Sequence, residues 1–138
     1  MKKNIALIVL MLLGLFTYAQ NKLYTTKDGK QDKVAGSLIG TKIFEHFFTT
    51  NTDSLVGMIA RDTVYKTNKG VKTKPIYIIA KDSIYPFNAY KKTYGVAGYL
   101  KGNEVYYPMG KENTPTLVGF IDGGGIQAAA ALLLVLHW

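Results

Sequence analysis

Few side chains in this sequence could carry chemistry, and their spacing does not gather them. His46 sits in Glu45-His46-Phe47-Phe48, and His137 stands near the other end of the chain. Neither belongs to a metal-binding spacing such as His-Glu-x-x-His. An imidazole titrates near neutrality and can serve as acid or base, but a single histidine beside aromatic residues reads as structural or solvent-facing. Asp62, Asp82 and Asp122 recur at a similar phase, which raises a calcium site or a pair of glycosidase carboxylates. Arg61 and Lys81 stand beside the first two, and local charge balance is the simpler reading. Gly123-Gly124-Gly125 lacks the Lys-Ser/Thr of a phosphate loop, and no Gly-x-Ser-x-Gly elbow occurs. The sequence has no cysteine, which removes disulfides, thiolate nucleophiles and iron–sulfur ligation. No catalytic residue, metal ligand or cofactor site follows from these patterns.

Tyrosine is the one functional side chain in excess, with ten copies. Tyr65, Tyr85 and Tyr106 share one position of a repeat, and Tyr77, Tyr90, Tyr94, Tyr99 and Tyr107 add to the middle and later parts. Displayed on one face, Tyr85, Tyr90, Tyr94, Tyr99, Tyr106 and Tyr107 would form a surface able to stack on sugar or peptide. The competing reading is a structural ring in which the aromatic groups pack neighbouring hairpins together.

The element that must hold them repeats about every 21 residues. Gly36, Gly57, Gly98 and Gly119 each lie within an aliphatic run, the first being Val34-Ala35-Gly36-Ser37-Leu38. A divergent copy, Pro75-Ile76-Tyr77-Ile78-Ile79, puts Tyr77 in the glycine's place. Downstream of each centre comes an aliphatic residue, Ile43, Val64, Ile84, Val105 or Ile126, and an aromatic follows the first four: Phe44, Tyr65, Tyr85 and Tyr106. Leu23-Tyr24 supplies one leading half-copy.

β-Branched and aromatic enrichment favours strands, and the pairs Gly40-Thr41, Arg61-Asp62, Lys81-Asp82 and Gly102-Asn103 suit two-residue turns. Such turns set Leu38 opposite Ile43, Ile59 opposite Val64, Ile79 opposite Ile84 and Leu100 opposite Val105, which pins the register. The expected fold is all-β, with antiparallel β-hairpin repeats arranged around a centre as a closed or nearly closed sheet. Glycine weakens a strand interior, so its recurrence marks points of close approach. At Tyr77 either the hairpin sits farther out or the ring fills the space that the glycines leave.

The motif running from Gly57-Met58-Ile59 to Val64-Tyr65, and again from Gly98-Tyr99-Leu100 to Val105-Tyr106, resembles the four-fold beta-flower family of bacterial hairpin-repeat proteins. So does the ending, in which Gly119-Phe120-Ile121-Asp122-Gly123 leads into an alanine and leucine tract. The resemblance covers residues 23 to 136 and implies petal-like hairpins about a pseudo-symmetry axis, with no established activity. The Tyr77 copy, the Thr67 to Lys74 loop and the Ile126-Gln127 ending depart from the pattern and leave the petal count open.

The tract from Ala128 to Leu136 covers only about half of a bilayer core at about 1.5 Å per residue. Alanine and leucine favour helix, and the tract reads as a short buried helix covering the open end of the sheet. A further strand, kept in phase by Ile126, is the alternative.

Residues 1–19 combine Lys2 and Lys3, an apolar run from Ile5 to Phe16 and a small-residue exit at Ala19, the parts of a secretory signal peptide. Residues 20–138 would then form a single hairpin-repeat domain, periplasmic, cell-surface or secreted in a Gram-negative bacterium, with no membrane-spanning segment once the signal is removed. The chain is basic, at +8, yet its lysines are scattered and Arg61 is its only arginine. That pattern suits solubility better than specific nucleic-acid binding. The leading expectation is a non-enzymatic structural or protein-interaction module of the bacterial envelope, bound to another envelope protein or to itself as a homo-oligomer. The alternative is a module that binds a glycan, another polyanion or a peptide, with an enzyme acting on cell-wall material behind it.

Overall fold

In a computed structural model of the protein, residues 20–87, 95–109 and 114–136 are described. Their strands are β1 (Gln20–Lys27), β2 (Lys30–Ile39), β3 (Lys42–Phe47), β4 (Thr52–Ala60), β5 (Thr63–Asn68), β6 (Val71–Ala80), β7 (Ser83–Pro86), β8 (Gly98–Lys101), β9 (Glu104–Met109) and β10 (Thr114–Ile121). One helix, α1 (Gly125–Val135), follows them. Each strand is antiparallel to its neighbours, and β1 pairs with β10 to close a barrel. The signal-like segment 1–19 lies outside the described residues.

Alternating aliphatic positions set the register. Leu38 faces Ile43, Ile59 faces Val64, Ile79 faces Ile84 and Leu100 faces Val105, the four pairs that two-residue turns require. A fifth pair, Leu23 with Ile121, lies on the seam between first and last strands. The half-copy at Leu23-Tyr24 is therefore the partner of the last copy, Gly119 to Ile121. Ile126, which keeps the repeat spacing, instead belongs to the first turn of α1. At the seam the Asp122 carboxylate accepts a hydrogen bond from the Lys22 amide at 2.7 Å.

Between hairpins the aliphatic residue of one copy meets the central residue of the next: Leu23 with Gly36, Ile43 with Gly57, Val64 with Tyr77, Ile84 with Gly98 and Val105 with Gly119. In four of these ladders the next rung skips a residue, leaving Ala35, Val56, Ile76 and Val118 as bulges. A bulge bends a strand and tightens its twist, and repeating it at one level curls the sheet into a ring. A barrel of about eight strands is filled by its own side chains; this one has ten and needs more.

The helix supplies the filling. Gly123, Gly124 and Gly125 have φ of 148°, 80° and 58°, conformations that a side chain resists, and through them the chain turns from β10 into the lumen. From Ala128 to Val135 every residue is buried, on all sides of the helix, which only an enclosing wall can achieve. Small and large are exchanged between the two surfaces. Where the wall carries its ring of leucine, isoleucine and valine, the helix carries Ala128 to Ala131; one turn deeper, where the wall carries glycine, the helix carries Leu132 to Val135.

Each glycine is a notch for one side chain. A methyl group on Gly119 would lie 2.7 Å from Leu132 Cδ2, and one on Gly98 would lie 2.5 Å from Leu133 Cδ1. On Gly57 it would run into Leu134, and on Gly36 it would lie 3.3 Å from Val135 Cγ2. Consecutive helix residues point about 100° apart, whereas five evenly spaced hairpins stand about 72° apart. Going round from Leu132, the β6 position falls at about 144°, between Leu133 at about 100° and Leu134 at about 200°. No helix side chain of that layer aims there, and the Tyr77 ring, 4% exposed, occupies the gap.

Candidate functional site

The two ends of the barrel differ. At the turn end the tight turns of the repeat are stitched to neighbouring hairpins: the carbonyls of Thr41, Asp62, Asp82 and Asn103 accept hydrogen bonds from the amides of Ile59, Ile79, Leu100 and Ile121. At the loop end the strands outrun the helix, and the tips of β1–β2, β3–β4 and β5–β6 project beyond the core. The exposed large apolar residues Phe47, Phe48 and Val71, at 41%, 54% and 66%, lie on these tips. Lys27, Lys30, Lys33, Lys66, Lys69, Lys72 and Lys74 are exposed on the same three pairs of strands.

Cross-strand register builds a small polar cluster here. His46 on β3 lies opposite Asp53 on β4, and its Nδ1 is 2.7 Å from Asp53 Oδ1. The Phe48 ring packs edge-on to the imidazole at 5.2 Å, and the Lys33 amine stands 5.5 Å above the same ring. His46, Phe47, Phe48 and Thr25 join Val135 and Leu136, at the end of the helix, in lining a cleft of about 340 Å³. Asp53 orients the imidazole, as a carboxylate does for a general base. Of the two threonines lining the cleft, Thr25 is engaged elsewhere: its Oγ1 donates to the Lys33 carbonyl at 3.3 Å and accepts from the Lys33 amide at 3.1 Å. The cluster orders the hairpin tips and shapes a mouth with an apolar rim. A second depression of about 490 Å³ lies at the turn end beside Ile39, Gly40, Thr41, Lys42 and Phe44, with a lysine as the charged group of that lining. Among the described residues no group of three or more His, Asp or Glu could hold a metal ion.

The tyrosines divide between two faces. Tyr85, Tyr99 and Tyr106 lie on the outer face, one residue out of step with the inward aliphatic ring. Tyr99 and Tyr106 stack at 5.4 Å with their planes 12° apart. The Tyr106 hydroxyl donates to Glu104, which holds the phenol above its ordinary pKa. Tyr107 takes the opposite face to Tyr106 and packs against the core. Burial, with the Tyr107 phenol second, pushes Tyr77 up to about 12. Tyr90 and Tyr94 lie outside the described residues, as does His137.

The loop-end cluster was not legible as a motif, because His46 and Asp53 meet across strands rather than by a spacing. One signal was present: Phe47-Phe48 puts two adjacent aromatic residues beside a polar turn, and neighbours on a strand cannot both face inward.

Compared with known protein families, curated proteins and solved structures, the chain matches none. Among the described residues no helix is long and apolar enough to cross a membrane.

Proposed function

We propose that the protein is a non-enzymatic interaction module of a bacterial envelope, a barrel that meets its partner through the loop end. The observation that carries this reading is the division of the molecule. Its interior is filled by its own helix, while apolar side chains that could have joined that core stand exposed on the hairpin tips. Exposed aromatic groups clustered at one end of a domain are typical of contact surfaces. The signal-like residues 1–19 support an exported site of action, whether periplasm, cell surface or medium. Kinship with the four-fold beta-flower proteins belongs to the same proposal and rests on the repeat motif, with five hairpins here in place of four petals.

A photo-reactive side chain at Phe48, with one at Ala80 on the turn end as control, tests the reading in the envelope of an expressing Gram-negative host. Discrete products are expected from position 48 and not from 80. Equal labelling at both positions would refute a loop-end contact. The stacked Tyr99–Tyr106 pair favours one second reading, a platform for a glycan or peptide; under it Tyr99→Ala, and not Phe48→Ser, would abolish binding.

A further inference from the structure

We propose that the loop-end arc formed by the tips of β1–β2, β3–β4 and β5–β6 docks on the surface of an anionic phospholipid bilayer. The proposal deepens the reading above by naming the class of partner, and it rests on the loop end being the contact surface. Topology fixes the arrangement: these are three neighbouring pairs in the barrel, and all three tips project from the same end.

Composition then points to lipid. The arc carries seven lysines against Asp28, Asp32, Glu45 and Asp53. The turn end is nearly balanced, with Lys22, Lys42, Arg61, Lys81 and Lys101 facing Asp62, Asp82, Glu104 and Asp122. Among the described residues the exposed large apolar side chains, Phe47, Phe48 and Val71, all belong to the cationic end.

Lysines flank them closely: Lys69 and Lys72 bracket Val71 in sequence, and the Lys33 amine lies over Phe48. Lysine stems cover apolar surface while their amines reach outward. Aromatic and aliphatic side chains ringed by lysines can enter the boundary between headgroups and acyl chains while the amines meet lipid phosphates. A soluble polyanion would use the lysines and leave Phe47, Phe48 and Val71 in water, so the apolar tips decide between the two.

The test is flotation of the exported, purified chain with vesicles of phosphatidylcholine, alone and with increasing phosphatidylglycerol. Binding should rise steeply with the phosphatidylglycerol fraction and weaken at about 1 M salt, where the Debye length falls to about 3 Å. Phe47→Ser with Phe48→Ser should lower the partition coefficient by about tenfold or more, and Lys69→Glu with Lys72→Glu should lower it by about as much and flatten the lipid-charge dependence. These side chains lie outside the core, and an unchanged thermal midpoint shows that the variants are folded. Equal binding to both vesicle types, no flotation of the wild type, or undiminished binding by the double Phe variant would each overturn the proposal. Binding to dextran sulfate that ignores the Phe variant, without flotation, would assign the arc to a polyanion instead. Protein cross-links at position 48 with no flotation would sink the lipid partner while sparing the loop-end reading.

Discussion

Four glycines in the wall take in four consecutive helix side chains, and their neighbours are not interchangeable. At Gly98 the first atom that an added methyl would meet belongs to Leu133, a movable side chain; at Gly36 it is the Phe44 backbone carbonyl oxygen. Gly98→Ala is expected to cost about 1–3 kcal/mol through overpacking, and Leu133→Ala about 2–5 kcal/mol through the lost contact and the cavity. Together they should cost less than their sum by more than about 0.5 kcal/mol, because the truncated side chain makes room for the methyl. Gly36→Ala should gain no such relief from Val135→Ala. Urea melts of the two double-mutant cycles check this, and additivity at the 98–133 pair would refute the notch. Tyr77 supplies a second residue-level test. Its folded-state pKa, about 12, lies above the 10.0 of an ordinary tyrosine, so its contribution is complete below about pH 10 and is lost as pH rises through about 12. The stability of the wild type relative to Tyr77→Phe should fall by roughly 3 kcal/mol across that window, the common titration of the lysines cancelling in the difference. Parallel pH profiles would show that the phenol is not buried as described.

The helix is the element on which the others depend. Its alanine layer is small where the wall is large, and its Leu132 to Val135 layer is large where the wall is small, so neither surface is complete without the other. Burial of one leucine contributes roughly 1.5–3 kcal/mol. Three leucines and a valine therefore approach the whole stability of a small domain, about 5–15 kcal/mol. A chain ending at Asp122 keeps all ten strands and the seam, yet it is expected to lose its cooperative unfolding transition and near-ultraviolet circular dichroism. A sharp transition near the wild-type midpoint would mean that the strands close without their filling. Much at this scale was legible beforehand: a two-residue turn after Leu38, Ile59, Ile79 or Leu100 fixes the facing residue, and three glycines followed by alanines and leucines read as helix. The expected C-terminal helix is present, and it reaches from the end of the sheet into the lumen, where Ala128 to Val135 are buried. A closed sheet was expected as well; the seam that closes it, Leu23 with Ile121 across nearly the whole chain, is a pairing that no local pattern reveals.

For the molecule as a whole, nearby pairings could be read and distant ones could not. The glycine series announced close contact without naming what fills it, since the filler, Leu132 to Val135, follows the last strand. The loop end was hidden for a related reason. Phe47 and Phe48 look like more of the aliphatic-aromatic pattern begun at Ile43-Phe44, yet Phe47 ends β3, Phe48 lies in the turn after it, and both line the cleft at the end of α1. The order of the parts has a further result. Synthesis delivers the mould first and the casting last, so while the ten strands emerge they have nothing to close upon, and the final shape waits for a few apolar residues near the end. A polypeptide built this way is expected to protect its strand amides from hydrogen exchange only once residues 128–135 have docked.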